Sequence, residues 1–311
     1  RSPSLWGMQC RVAIVRVLLL LDAAAVRGLL ISPQLLSPDT QPQRHATALA
    51  TAPKAAATSV SADGASIPPL GFSFTPGGLL FPYYVGAAYE LQRRGLLTPN
   101  TPLGGSSAGA IVATAVASGL GEADILDGLS VLVADYRGGV SLRVALRKQL
   151  LRLLPDDAPQ RCERHGLTVC YKRLLPWPKA CLTQNWASKQ DLIDCVAASC
   201  CWPFFFERWP CVWVRGGLGL DGYFALPREQ FGAPTLAAPR TIVVTALPKV
   251  AVAPRGGLLQ PGAGTRFPLG VEDAAWFERA LKPATDAQLE EMVVLGRKHA
   301  AAWAAEDAKQ G

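Results

Sequence analysis

From residue 67 onward, the spacing of apolar and polar positions lays out alternating strands and helices. The stretch "GFSFTP" (71–76) reads as a short strand, and Gly77 and Gly78 as the turn that closes it. In "PYYVGAAYELQRRGLL" (82–97), Val85, Ala88, Leu91 and Leu96 recur at helical spacing. "NTPLGG" then leads to a turn around Ser107, and "AGAIVATAVASGL" continues as a small-residue helix able to pack closely on a sheet. Strand, loop, helix, strand, sharp turn and helix in that order open an α/β sandwich. Further along, 141–154 is amphipathic: Leu142, Leu146, Leu150 and Leu153 share one face, with Arg147, Lys148 and Arg152 opposite. "APRTIVVTALP" (238–248) reads as another buried strand, and a C-terminal helix starts at 286 with Asp286 as its N-cap. No internal repeat is evident.

The first 66 residues have a different texture. Residues 46–66 are Ala, Ser or Thr at 15 of 21 positions, too poor in large side chains to build a core. Upstream, Arg11, Arg16 and Arg27 punctuate an apolar stretch with one acid, Asp22. Its longest large-aliphatic run, Val17 to Leu21, is far shorter than a membrane span of about 20 residues. This composition matches an organellar transit peptide, for a plastid first and a mitochondrion second, better than a secretory signal or an anchor. The expected organisation is a transit-like segment at 1–66 and one folded domain at 67–311, with its motifs between about 70 and 227.

The net charge of +7 is local. Residues 137–179 hold ten Arg or Lys against three acids, so an anionic surface is expected to meet that region. On the 141–154 helix, the basic face reads either as an ordinary solvated face or as a contact for anionic headgroups. Five of the eight tryptophans, Trp177, Trp186, Trp202, Trp209 and Trp213, lie close together in sequence with Phe204–Phe206 among them. They suit a sheet core, an acyl pocket or a half-wet interfacial belt. Seven of the eight cysteines fall between 162 and 211 without C-x-x-C spacing, which points to reduced, mostly buried thiols and to no metal site.

Candidate chemistry centres on "GSSAG", where Gly105 and Gly109 bracket Ser107 as G-x-S-x-G. That spacing lets a serine sit on a sharp strand-to-helix turn with its hydroxyl exposed. The bland alternative is a helix N-cap formed by Ser106 or Ser107. A nucleophilic serine needs a base and oxyanion donors. One reading takes Ser107, Asp221 and His299 as a triad. Against it, Ser107 comes early in the domain, and His299 lies mid-helix beside Arg297 and Lys298, as on a solvated face. His45 falls in the transit-like segment and His165 in a basic loop. The other reading makes a partly desolvated Asp221 the base directly, in the turn "DGY" where Gly222 permits a tight backbone.

Taken together, "PGGLLFPYYVG" (76–86), "GSSAG" (105–109), "SKQDLIDCVAASCCWPFFF" (188–206) and "DGY" (221–223) resemble the patatin-like phospholipases. The resemblance implies a three-layer α/β/α sandwich that hydrolyses glycerolipid esters, with phospholipid, galactolipid or acylglycerol as substrate; the alternatives are an acyltransferase and a catalytically weak lipid-binding or regulatory member. It implies Ser107 as nucleophile, Asp221 as its dyad partner, and Gly77 and Gly78 amides as the oxyanion hole, with Gly105, Gly109 and Gly222 supporting them. It implies no metal or organic cofactor and no nucleic-acid partner; the expected partner is the lipid, met peripherally at a membrane or lipid-droplet surface. Three departures stand out. The Arg of the family's Gly-Gly-Gly-x-Arg-Gly loop is absent, Tyr223 replaces a small residue after Asp-Gly, and "FALP" replaces Asn-x-Pro.

Overall fold

A computed structural model describes residues 70–248, 256–261 and 271–309, all within the unit Lys54–Gly311. The transit-like reading of residues 1–66 lies outside them. The described chain begins β1 (Leu70–Phe74), α1 (Phe81–Arg93), β2 (Leu103–Gly105) and α2 (Ala108–Ala117). Helices α3 (Glu122–Arg137), α4 (Leu142–Leu153) and α5 (Ala158–Arg164) follow, then the hairpin β3 (Thr168–Arg173) and β4 (Lys179–Thr183). After α6 (Lys189–Ser199) come β5 (Val212–Val214), β6 (Gly217–Leu220), β7 (Arg240–Val244) and β8 (Leu258–Leu259). The helices α7 (Val271–Leu281) and α8 (Asp286–Asp307) complete it.

The strands form one mixed sheet in the order β5-β6-β3-β2-β1-β7-β8, with β4 also paired to β3. Every residue of β1 is buried, as a central strand between two parallel neighbours requires. Helices α1, α2, α6 and α8 cover the face of Phe72 and Phe74. Phe72 meets Trp303 of α8 at 6.0 Å between rings, and Phe74 meets Tyr84 of α1 at 5.9 Å. A Cβ on Gly219 would lie 3.1 Å from Ala198 of α6. The opposite face is covered differently: Gly71 and Gly104 sit under Leu236 of the coil that follows β6. The mixed α/β class read from the sequence is the one observed.

Two glycines let α1 and α8 touch backbone to backbone. A Cβ on Gly86 would stand 2.8 Å from the Val293 carbonyl carbon, and one on Gly296 would stand 2.9 Å from the Ala87 nitrogen. This contact seats Trp303 on β1.

Three local readings change. The α4 leucines are buried as expected, Leu153 only partly, but its basic face is not an open stripe. Arg147 pairs with Asp194, Lys148 with Asp135 at 2.9 Å and Arg152 with Asp127 at 2.8 Å. Those acids sit on α3 and α6, brought in by packing. The cap of α8 is Thr285 rather than Asp286: Thr285 Oγ1 accepts from the Gln288 amide, and Gln288 Oε1 accepts from the Thr285 amide. His165 is not in an open loop but buried at the end of α5, its Nδ1 2.7 Å from the Thr101 carbonyl. Of the seven cysteines among the described residues, five are buried, and burial pushes the Cys162 and Cys170 thiols up to about 12. No helix among the described residues is long and apolar enough to cross a membrane.

Gly86→Ala and Gly296→Ala should each force α1 and α8 apart and destabilise the fold by about 2–3 kcal/mol. Urea unfolding should show a lowered midpoint with an unchanged slope.

Candidate active site

The elbow is built by close approach. Strands β1 and β2 run parallel with Phe74 beside Gly105, and the chain turns directly from β2 into α2. A Cβ at Gly105 would fall 2.6 Å from the Gly109 carbonyl carbon, and one at Gly109 would fall 2.7 Å from the Phe74 Cβ. With glycine at both positions, the helix starts against the strand. Ser107 carries the turn at φ 54, ψ −127 and makes no capping bond, a conformation that L-residues rarely adopt. The N-cap reading of its side chain does not hold. Ser106 is no cap either; its hydroxyl donates to the Gly232 carbonyl. Ser107 is 9% exposed, so it lies at the floor of the site rather than standing free.

Three other loops meet this turn. After β1, Thr75 Oγ1 bonds the Tyr84 hydroxyl at 2.8 Å, and that hydroxyl lies 3.2 Å from the Pro76 carbonyl and accepts from the Ala246 amide at 3.1 Å. Tyr84 thereby pins the Pro76-Gly77-Gly78 loop from below. A Cβ on Gly77 would strike its ring at 2.8 Å. Gly78 adopts φ +55, and a Cβ there would crowd the Ala280 carbonyl of α7. Second, Ser199 at the end of α6 accepts from the Ser107 amide at 2.9 Å and donates to the Cys170 carbonyl. Third, Asp221 follows β6, its amide donating to the Cys201 carbonyl at 3.0 Å. The next residue, Gly222, presses on Ser106, where a Cβ would fall 2.5 Å from the serine Cβ.

Asp221 is completely buried. Its Oδ1 accepts from the Tyr223 amide at 2.9 Å, while Oδ2 has no hydrogen-bond partner among the described residues. Burial raises its pKa to about 7, against smaller lowering effects of the Tyr223 amide and the Ser107 hydroxyl. The Ser107 hydroxyl is thus near enough to influence this carboxyl, whose Oδ2 has no hydrogen-bond partner among the described residues. His299 goes elsewhere. It is buried in α8 with Nδ1 3.3 Å from the Tyr83 hydroxyl, and burial followed by the Lys298 charge lowers its pKa to about 4. The solvated face read for it is absent, because α8 turns this position onto α1.

A model of patatin-like phospholipases matches residues 73–231, just over half of the chain. The chain belongs to that family. The members of that family are, at family level, lipid acyl hydrolases. No curated protein matches it significantly. Among solved structures it is similar to VipD from Legionella pneumophila, at 14% identity and a TM-score of 0.40, over 62% of this chain and 53% of that one. The chain therefore spans about half the length of that structure.

This patatin-like chain accommodates its departures by burial and stacking. Leu80, where the family loop carries Arg, is fully buried, so a guanidinium there would lose its hydration. Tyr223 joins an aromatic cluster, with its ring 5.5 Å from Trp202, 5.4 Å from Phe224 and 5.3 Å from Phe231. Sequence reasoning missed Ser199 and Tyr84 as organisers of the site. Ser199 lies within the quoted 188–206 likeness, but its bond to the Ser107 amide spans 92 positions and has no local signal.

Because burial disfavours the Asp221 carboxylate, its folded pKa of about 7 lies above the unfolded value of about 3.9. The folded state therefore loses stability as pH rises from about 4, and the loss is complete above about 7. Asp221→Asn should match the wild type near pH 4 and exceed it by up to about 4 kcal/mol near pH 8. Denaturant midpoints at the two pH values measure this.

Proposed function

We propose that this protein is a serine lipid acyl hydrolase working through Ser107 and Asp221. One observation carries the reading: the buried Asp221, with its raised pKa and one oxygen without a hydrogen-bond partner among the described residues, faces the hydroxyl of a serine held at positive φ on a strand-to-helix turn. Asp221 as carboxylate takes the Ser107 proton while Oγ attacks the ester carbonyl carbon. The tetrahedral oxyanion is held by the Gly77 and Gly78 amides, for which no acceptor is found among the described residues. Collapse expels the alcohol, which recovers the proton from Asp221 and leaves an acyl-Ser107 ester. Water then attacks that ester with Asp221 again as base, releasing the fatty acid and restoring the hydroxyl.

The substrate class is a glycerolipid, whether phospholipid, galactolipid or acylglycerol, met at a membrane or lipid-droplet surface. The transit-like composition of residues 1–66 supports an organellar address, plastid before mitochondrion. Neither buried histidine has a task in this scheme.

With a chromogenic short-chain ester, Ser107→Ala and Asp221→Asn should each abolish turnover, and the double variant should be no worse than either. His299→Ala and His165→Ala should stay within roughly tenfold of wild type, about 1.4 kcal/mol of barrier. A folded His299→Ala protein as inactive as Ser107→Ala would overturn the dyad. Activity should climb with pH through about 7 as Asp221 ionises.

Gly78→Val should cost about 3 kcal/mol of transition-state stabilisation by displacing an oxyanion donor. An unchanged kcat together with a normal melting curve would remove Gly78 from the oxyanion hole.

A further inference from the structure

The β3–β4 hairpin ends in "LLPWP" (174–178), and the fold carries that tip to the same edge of the sheet as the candidate site. Strand β3 runs parallel to β2 with Val169 beside Gly105, so its C-terminal end leaves the sheet where the Ser107 turn does. Lys172 lies opposite Leu220, the residue before Asp221. At about 3.3 Å per strand residue, the tip stands roughly 7–10 Å beyond that level. Trp213 joins it laterally: it pairs with Leu218, whose carbonyl accepts from the Leu174 amide at 2.7 Å.

These side chains are unusually open for their size. Trp177 is 77% exposed, Trp213 69% and Leu175 50%. Phe204, in the segment whose Cys201 carbonyl accepts from the Asp221 amide, is 61% exposed as well. A cluster of exposed tryptophan and leucine marks a surface that some apolar phase covers. The surrounding charge selects which phase. Residues 168–183 contain Lys172, Arg173 and Lys179 and no acid. Among the described residues, Lys172 and Lys179 make no ion pair, whereas every cation on the basic face of α4 does. Tryptophan favours the boundary between water and hydrocarbon, and lysine stems reach along apolar surface to place their charge among headgroups.

We propose that the β3–β4 tip, with Leu175, Trp177 and the adjacent Trp213, inserts into an anionic lipid surface, that Lys172 and Lys179 bind its headgroups, and that docking there turns the Ser107 edge toward the lipid. The proposal rests on the reading of that site as a lipid acyl hydrolase. It assigns the anionic-surface contact to this hairpin and not to α4, whose charges are neutralised within the molecule.

The test is flotation of the full chain with vesicles of phosphatidylcholine alone and of phosphatidylcholine mixed with phosphatidylglycerol, alongside turnover of a soluble chromogenic ester. Wild type should bind the mixed vesicles, and less so in high salt. Trp177→Ser combined with Trp213→Ser should lower binding to the mixed vesicles about tenfold or more. Lys172→Gln with Lys179→Gln should remove about tenfold of the preference for mixed vesicles. Both should leave soluble-ester turnover and circular dichroism unchanged, and Lys148→Gln on α4 should change nothing. Leu175→Asp, at an exposed turn, repeats the tip test should the tryptophan pair fail to fold. Wild-type indifference to mixed vesicles, or equal binding by wild type and the tip variants, overturns the proposal. A tip variant that changes only the elution volume in size-exclusion chromatography overturns it in favour of self-association. Vesicle binding that depends on the tip in a protein without esterase activity upholds docking and overturns only the hydrolase reading.

Discussion

The contact on which the site depends is the backbone approach of β1, β2 and α2 at Gly105, Gly109 and Phe74. With hydrogen in place of a side chain at two positions, α2 begins against the sheet, and the residue between them must turn the chain through φ 54. The cost of that conformation is offset by fixed neighbours: the Ser199 hydroxyl accepts from the Ser107 amide, and the Phe74 carbonyl accepts from the Ser106 amide at 3.2 Å. A side chain at either glycine would move the helix and release the turn.

A second constraint is the burial of a carboxyl group. Asp221 is surrounded by the turn at Gly222, the Cys200–Cys201 segment and the Ser107 elbow, and among the described residues only the Tyr223 amide bonds its carboxyl fully. Desolvation is the largest influence on its pKa, which raises the basicity of a group that would be a weak base in water. The coil after β6 closes this arrangement. Its Gly232 carbonyl accepts from Ser106, and Gly232 itself packs on Pro76, so the loops of β1, β2 and β6 are tied through one return segment. The burial that makes Asp221 a stronger base also costs stability at neutral pH.

Charge follows packing rather than local sequence. The bases of α4 are neutralised by acids on α3 and α6, while the lysines of the β3–β4 hairpin, beside exposed tryptophans, have no carboxylate partner among the described residues. Paired charges held within a fold attract a distant anionic surface far less than free ones. Where an external contact is to be sought thus depends on which cations the fold has already engaged.

The α/β class, the order of the early elements, and the candidate Ser107, Asp221, Gly77 and Gly78 were legible in the sequence, because each rests on local rules: periodicity, turn-forming glycines and short motifs whose spacing sets a backbone shape. The same rules placed the α4 leucines inward correctly. They failed where the answer lies across the chain. Ser199 supports the Ser107 amide from 92 positions away, Tyr84 pins a loop by bonding Ala246, and the α4 cations meet acids on other helices. His299 shows the same limit: its charged neighbours in sequence suggested solvent, yet α8 lies on α1 with glycines at the contact, and the ring is buried against Tyr83. Local sequence determines which conformations a segment favours, whereas burial, ion pairing and the pKa of Asp221 are properties of neighbours that only the folded chain brings together.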